Sequence, residues 1–262
     1  MRKLLFTLLL CLIVFSASGQ DYGFKRTSVI ELGLGTDRYI DKATSSAVMW
    51  DLLISEKYLL ATENDRILRF FTENANIGFH SLQGGFYLNL MNFSVTANVG
   101  YAWTYNLVGD RHDSFRLWAG GSANDHLDIR VNRAYFPTVS NFLFLGGDVV
   151  LQYSFGRYSL SSFIKVPLVS LVTRPSYAII GPSVTQMDDV ATYFKSFESS
   201  FRGFGGASFD LGFCWKTKKE NPLRVSYRWE YFSTGRGSSW DFKEGTHSLT
   251  FSVKFKEKTR LQ

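Results

Sequence analysis

The sequence has almost no cysteine and, beyond its first twenty residues, no long apolar run. Its two cysteines are Cys11 and Cys214. Cys11 lies inside the apolar N-terminal run and leaves with it if that run is a leader. Cys214 then has no partner, which excludes a small secreted domain stapled by intramolecular disulfides. No later apolar stretch reaches the roughly 18 residues that a bilayer-crossing helix needs, which excludes an α-helical membrane protein. Metal chemistry has no footing either. His80, His112, His126 and His247 are scattered without a ligand spacing, and no phosphate-cradling glycine motif occurs. No metal and no cofactor are expected. The net charge of +6 comes from Lys and Arg dispersed along the chain, as in Lys216-Thr217-Lys218-Lys219. That spread, in an exported chain, argues against a nucleic-acid partner and suits anionic lipid headgroups.

Export is read from the N-terminus. Arg2 and Lys3 precede an apolar run from Leu4 to Phe15, and Ser16-Ala17-Ser18-Gly19 follows. Ala17 and Gly19 stand at the spacing of a signal-peptidase site, so residues 1–19 are expected to be a cleaved signal peptide. Leu9-Leu10-Cys11 lacks the small residues that a lipoprotein signal places before its cysteine. The folded protein is therefore residues 20–262.

What the chain does have is alternation. From Phe93 to Tyr105 the odd positions are Phe, Val, Ala, Val, Tyr, Trp and Tyr, and the even ones Ser, Thr, Asn, Gly, Ala and Thr. Successive strand side chains point to opposite faces, so this segment separates an apolar environment from a small, polar one. The same pattern recurs around 143–155, 159–168, 207–215, 224–231 and 248–255. A soluble β-sandwich alternates too, but its strands are usually five or six residues long. Runs of ten or more residues, with Tyr and Trp toward their ends, suit tilted strands crossing a bilayer between interfacial aromatics. The fold class is all-β: an antiparallel transmembrane β-barrel, porin-like, in the outer membrane of a Gram-negative cell.

The expected strands are 26–37, 46–59, 65–79, 84–91, 93–106, 113–122, 127–136, 142–154, 158–170, 201–216, 223–234 and 243–256. That gives twelve; merging strands in the irregular stretch around 65–91 gives ten. With a periplasmic N-terminus, the even-numbered connections fall at short turns such as Ala123-Asn124-Asp125 and Gly156-Arg157. The one long connection, residues 171–200, lands outside, with a short helix expected near Val184 to Phe197. It could cap the mouth or bind an external partner.

If the apolar faces meet lipid, the polar faces line the lumen. The candidates there are Glu31, Asp51, Asp128, Asp148, Asp210 and Glu230 against Lys57, Arg116, Arg130, Lys165, Arg224, Arg228 and Lys254. The two signs nearly balance. Buried charges must be paired, so the pattern predicts a cross-lumen ion-pair network and not the single-sign ring of a selective pore. The role is then binding, assembly or narrow passage, by a protein expected to be a monomer in contact with outer-membrane lipid and lipopolysaccharide.

A second reading comes from the C-terminal hairpin. The segment Val225 to Gly235, followed by Gly245-Thr246-His247-Ser248-Leu249, resembles the same region of the outer-membrane lipid A 3-O-deacylase family. That family has a His-x-Ser-Asn motif at a strand end. Here Ser233 matches its serine, while Tyr231 stands for its histidine and Thr234 for its asparagine. A tyrosine with an ordinary pKa near 10 is no general base at neutral pH. His247 shares the lipid-facing parity of Ser233, and a turn near Trp240 would set the two opposite each other. The resemblance at Ser233, together with the parity of His247, gives as the enzyme alternative an acyl-ester hydrolase of lipid or lipopolysaccharide with Ser233 as nucleophile and His247 as base.

Overall fold

A computed structural model describes residues 25–41, 45–81, 93–110, 113–132, 135–175, 197–201, 204–216, 222–234 and 242–259. The signal-peptide expectation, the segment 84–91 and all but the last residue of the helix expected from Val184 to Phe197 lie outside these residues; Phe197 opens a strand.

The chain is all-β. The strands are β1 (Lys25–Asp41), β2 (Ser45–Glu63), β3 (Ile67–Ser81), β4 (Phe93–Val108), β5 (Phe115–Asn132), β6 (Tyr135–Phe155) and β7 (Tyr158–Pro175). There follow β8 (Phe197–Phe201), β9 (Phe204–Lys216), β10 (Pro222–Thr234) and β11 (Phe242–Thr259). Each pairs antiparallel with its neighbour, and β1 pairs with β11 to close the sheet on itself. Both β8 and β9 pair with β7, at Leu171–Pro175 and at Tyr158–Lys165, so they are two lengths of one stave. The result is a closed barrel of ten staves, the lower of the two expected strand numbers.

Half of the difference from twelve lies in the direct pairing of β3 with β4, and the other half has a physical cause in β5. The segments expected at 113–122 and 127–136 are one strand, and no turn forms at Ala123-Asn124-Asp125. Asn and Asp are turn formers in water, but here alternation runs through them unbroken. Ser122, Asn124, His126, Asp128 and Arg130 are all buried, with Ala123 and Asp125 on the other face. Because β3 pairs directly with β4, the connection at 109–114 comes to the same end as Lys25, where an external position was expected. The real turns there are Asn64–Arg66 and Gly156-Arg157, both short. Gly156 has φ +59°, the left-handed conformation that an L side chain resists and that lets Phe155 and Tyr158 pair across a two-residue hairpin. The longest connections, 82–92 and 176–196, leave from the opposite end. The first and last residues of the expected loop 171–200 belong instead to β7 and β8.

Polarity is inverted relative to a soluble barrel. Large apolar side chains stand exposed on the outer wall, among them Leu34, Ile54, Leu145, Leu168, Leu249 and Phe251. The interior buries Glu31, Asp37, Asp51, Lys57, Asp128, Arg130, Arg224 and Glu244. An aromatic band rings the outer wall at the Lys25 end. Tyr153, Phe155, Tyr158, Phe213 and Trp215 form a chain of rings 5.5–5.8 Å apart, and Trp103 stacks on Tyr105 nearby. Such a band is what the membrane–water boundary selects. Two exposed carboxylates, Glu56 and Glu73, interrupt the apolar wall on β2 and β3. The staves are longer than the ten or so residues that span hydrocarbon at a tilt of about 45°; β2 has 19 and β6 has 21.

Candidate functional site

The lumen is built in layers. Nearest the Lys25 end lies an apolar floor of Val29, Leu59, Leu68, Phe70, Trp118 and Val150. Trp118 is 1% exposed, and Arg116 lies over its ring at 4.8 Å. Arg116 also donates to Gln152 Oε1 at 2.8 Å and pairs with Glu63 at 3.1 Å, so it tops the network at one rim.

Above the floor is a first ion cluster. Arg224 on β10 donates to Glu31 on β1 and to Asp210 on β9, the latter at 2.9 Å. Lys57 on β2 pairs with the same Asp210 and lies 3.7 Å from Glu31. Ser226 and Thr250 also donate to Glu31 Oε2, Thr250 at 2.8 Å. Two cations against two anions make this cluster neutral. Gly212 makes it possible: an ideal Cβ there would lie 2.2 Å from Arg224 Nη2, so the guanidinium packs on bare backbone. Arg228 bonds Glu230 two residues along β10. Lys165 donates to Asn124 and stands opposite Asp148 in the β6–β7 register.

The second cluster sits toward the far end and has one hub. Arg130 donates to Asp128 at 2.8 Å, to Glu244 at 3.0 Å and to Asp37 at 3.1 Å, and reaches Asp51 at 3.7 Å. Its guanidinium carbon also lies 3.4 Å from the ring centroid of Tyr39. Ser94 donates to Asp51 Oδ2 at 2.7 Å, and His126 Nε2 stands 3.6 Å from Glu244. This cluster ties β1, β2, β5 and β11 together across the barrel. Aromatic rings close over it: Phe142 stacks on Phe242 at 5.5 Å, and His126 lies between Phe142 and Phe232.

Sequence reasoning placed the hub and most partners on the inner face but missed Asp37 and Glu244. Parity would have found both. Asp37 is in step with Glu31 along β1, and Glu244 with Ser248 and Thr250 along β11. A cavity of about 50 Å³ opens beside the first cluster, lined by Lys57, Asn74, Asp148, Lys165, Asp210 and Arg228 among others. That is room for a few water molecules and no more.

The hydrolase pair is not brought together. Ser233 stands opposite Lys243 in the β10–β11 register, and His247 opposite Trp229. Four residues of strand separate them, roughly 13 Å at 3.3 Å per residue. Ser233 is 8% exposed, and His247 Nδ1 instead hydrogen-bonds Tyr227 Oη at 2.7 Å. No group of three or more His, Cys, Asp or Glu among the described residues has the arrangement of a metal site.

No family model and no curated protein sequence matches the chain. Several solved structures align over most of its length. The outer membrane protease OmpT from Escherichia coli aligns at TM-score 0.47 and 7% identity, covering 91% of this chain and 97% of that one. The translocator domain of the autotransporter NalP from Neisseria meningitidis aligns at TM-score 0.37 and 7% identity, covering 97% and 96%. The attachment invasion locus protein Ail of Yersinia pestis aligns at TM-score 0.27 and 10% identity, covering 88% and 98%.

Proposed function

We propose that this protein is a sealed outer-membrane barrel that acts as a binding or assembly scaffold and does not conduct. One observation carries the reading: among the described residues the lumen is crossed at two levels by buried ion pairs, over an apolar floor, and the cavity beside the first level holds a few waters. A pore with standing conductance needs a continuous wet path lined by groups that let ions leave again. Here the charged groups are engaged with each other. The exposed apolar wall and the closed sheet support residence in a bilayer, and the leader-like N-terminus supports export to the outer membrane. The connections at 82–92, 176–196 and 235–241 all leave one end, opposite Lys25, and offer that end as the face for an external partner.

Planar-bilayer recording tests this. The purified protein is expected to insert without step conductance at 1 M KCl. Reproducible open channels that shift with Arg228→Gln would overturn the reading and restore the narrow-pore alternative.

A further inference from the structure

On the outer wall, near the end opposite Lys25, three basic or imidazole side chains converge where β1 meets β11. In that register Arg38 stands opposite Gly245, Ile40 opposite Lys243 and Thr36 opposite His247. The exposed Leu249 and Phe251 show that odd positions of β11 face outward here, while Ser248 and Thr250 are buried. Lys243 and His247 therefore flank Gly245 on the outer face, each a diagonal neighbour of Arg38 at about 7–8 Å along the sheet. Gly245 leaves the middle of this group open: an added Cβ would meet nothing nearer than the Arg38 carbonyl at 3.9 Å.

Two of the three are held in place by aromatics. Arg38 lies over the half-exposed Trp50, its guanidinium carbon 5.1 Å from the ring centroid. Tyr227, one step deeper on β10, bonds His247 Nδ1. That bond engages Nδ1 and leaves Nε2 on the other side of the ring. Below the group the wall is apolar through Leu34 and Leu32 on β1, and Leu249, Phe251 and Val253 on β11. The outward positions from Arg38 to Leu32 and from Lys243 to Val253 include no carboxylate; Glu56 of β2, opposite Leu32, stands beside the foot of the slope, away from the cations.

The geometry points to a binding site for a phosphorylated, acylated glycolipid of the outer leaflet. Its phosphate sits among Arg38, Lys243 and His247, and its acyl chains lie down the apolar slope beneath. Cations directly above an apolar face match a ligand with an anionic head directly above hydrocarbon tails. Trp50 places the group at the depth where headgroups lie. The site rests on the outer-membrane reading above, with the Lys25 end in the periplasm.

The test uses the full-length protein folded in detergent. The probe is a fluorescent acylated glucosamine disaccharide carrying its phosphates, compared with the same lipid stripped of phosphate. Wild type is expected to prefer the phosphorylated lipid, and R38Q/K243Q to bind it about tenfold more weakly. H247Q is expected to weaken it less, and the stripped lipid to bind wild type and variants alike. Equal binding of the two lipids by wild type, or unchanged binding by R38Q/K243Q, overturns the site. So does displacement by inorganic phosphate at the lipid's own concentration, since the tails would then contribute nothing. An unboiled gel of each protein separates the two readings. A folded, heat-modifiable band with phosphate-indifferent binding removes the site alone; absence of that band in wild type removes the barrel reading beneath it.

Discussion

Replacing Arg130 with methionine is expected to destabilise the detergent-folded barrel by about 3–5 kcal/mol, the usual cost of removing one partner from a buried ion pair. Methionine keeps much of the side-chain length, so packing changes little and charge changes most. The guanidinium contacts Asp128, Glu244, Asp37 and Asp51, and all four are 3% exposed or less. Without it they face one another, with His126 Nε2 3.6 Å from Glu244. Like charges at such distances in a poorly solvated interior repel strongly. Urea unfolding followed by tryptophan fluorescence, with the gel shift alongside, measures the loss. Adding D37N and E244Q to R130M is expected to restore part of it. If R130M alone falls within about 0.5 kcal/mol of wild type, as a neutral surface change would, the hub is not what braces the far end of the lumen.

Gly212→Val is the second large effect, expected at about 3 kcal/mol or more from overpacking and a broken buried pair together. The strain is not in the backbone. A Cβ at 212 falls within 2.2–2.5 Å of three atoms of the Arg224 guanidinium, so the arginine must swing away from both Glu31 and Asp210. Lys57 would then face two carboxylates alone. A double-mutant cycle isolates this cause. In an Arg224→Leu background the pairing is already gone and the side chain is shorter, so G212V is expected to add less than half its cost in wild type. Full additivity would show that the glycine serves something other than the guanidinium.

These two clusters also show how far the sequence could be read. Alternation located the wall and the lumen because an apolar outside and a polar inside impose it along the staves, and so Glu31, Asp210, Arg224 and Arg130 were assigned inward from parity alone. Strand number was harder for the same reason. The lumen accepts Ser, Asn, Asp and Gly, which are also turn formers, so the inward run Ser122, Asn124, His126, Asp128 read as a break in β5 when it is a polar face. Asp37 and Glu244 were missed because each lies near the end of an expected strand, where the pattern fades into connection. The partnering within the lumen was not legible at all. Which carboxylate meets Arg130 depends on closure of β1 onto β11, a contact between residues 114 apart for Arg130 and Glu244. Ser233 and His247 had matching parity, and only the register could show them four positions out of step.

The central claim is a barrel that is apolar outside and ion-paired inside, and one measurement addresses it directly. Protein purified from outer membranes in detergent is run on a denaturing gel with and without boiling, with circular dichroism on the same sample. The account predicts a β-type spectrum and a compact unboiled band that moves to the 29.8 kDa position of the full chain, or slightly below it after signal-peptide removal, only on heating. A protein that stays soluble without detergent and migrates identically before and after boiling would contradict it, and the lumen clusters and the lipid-facing site would fall together.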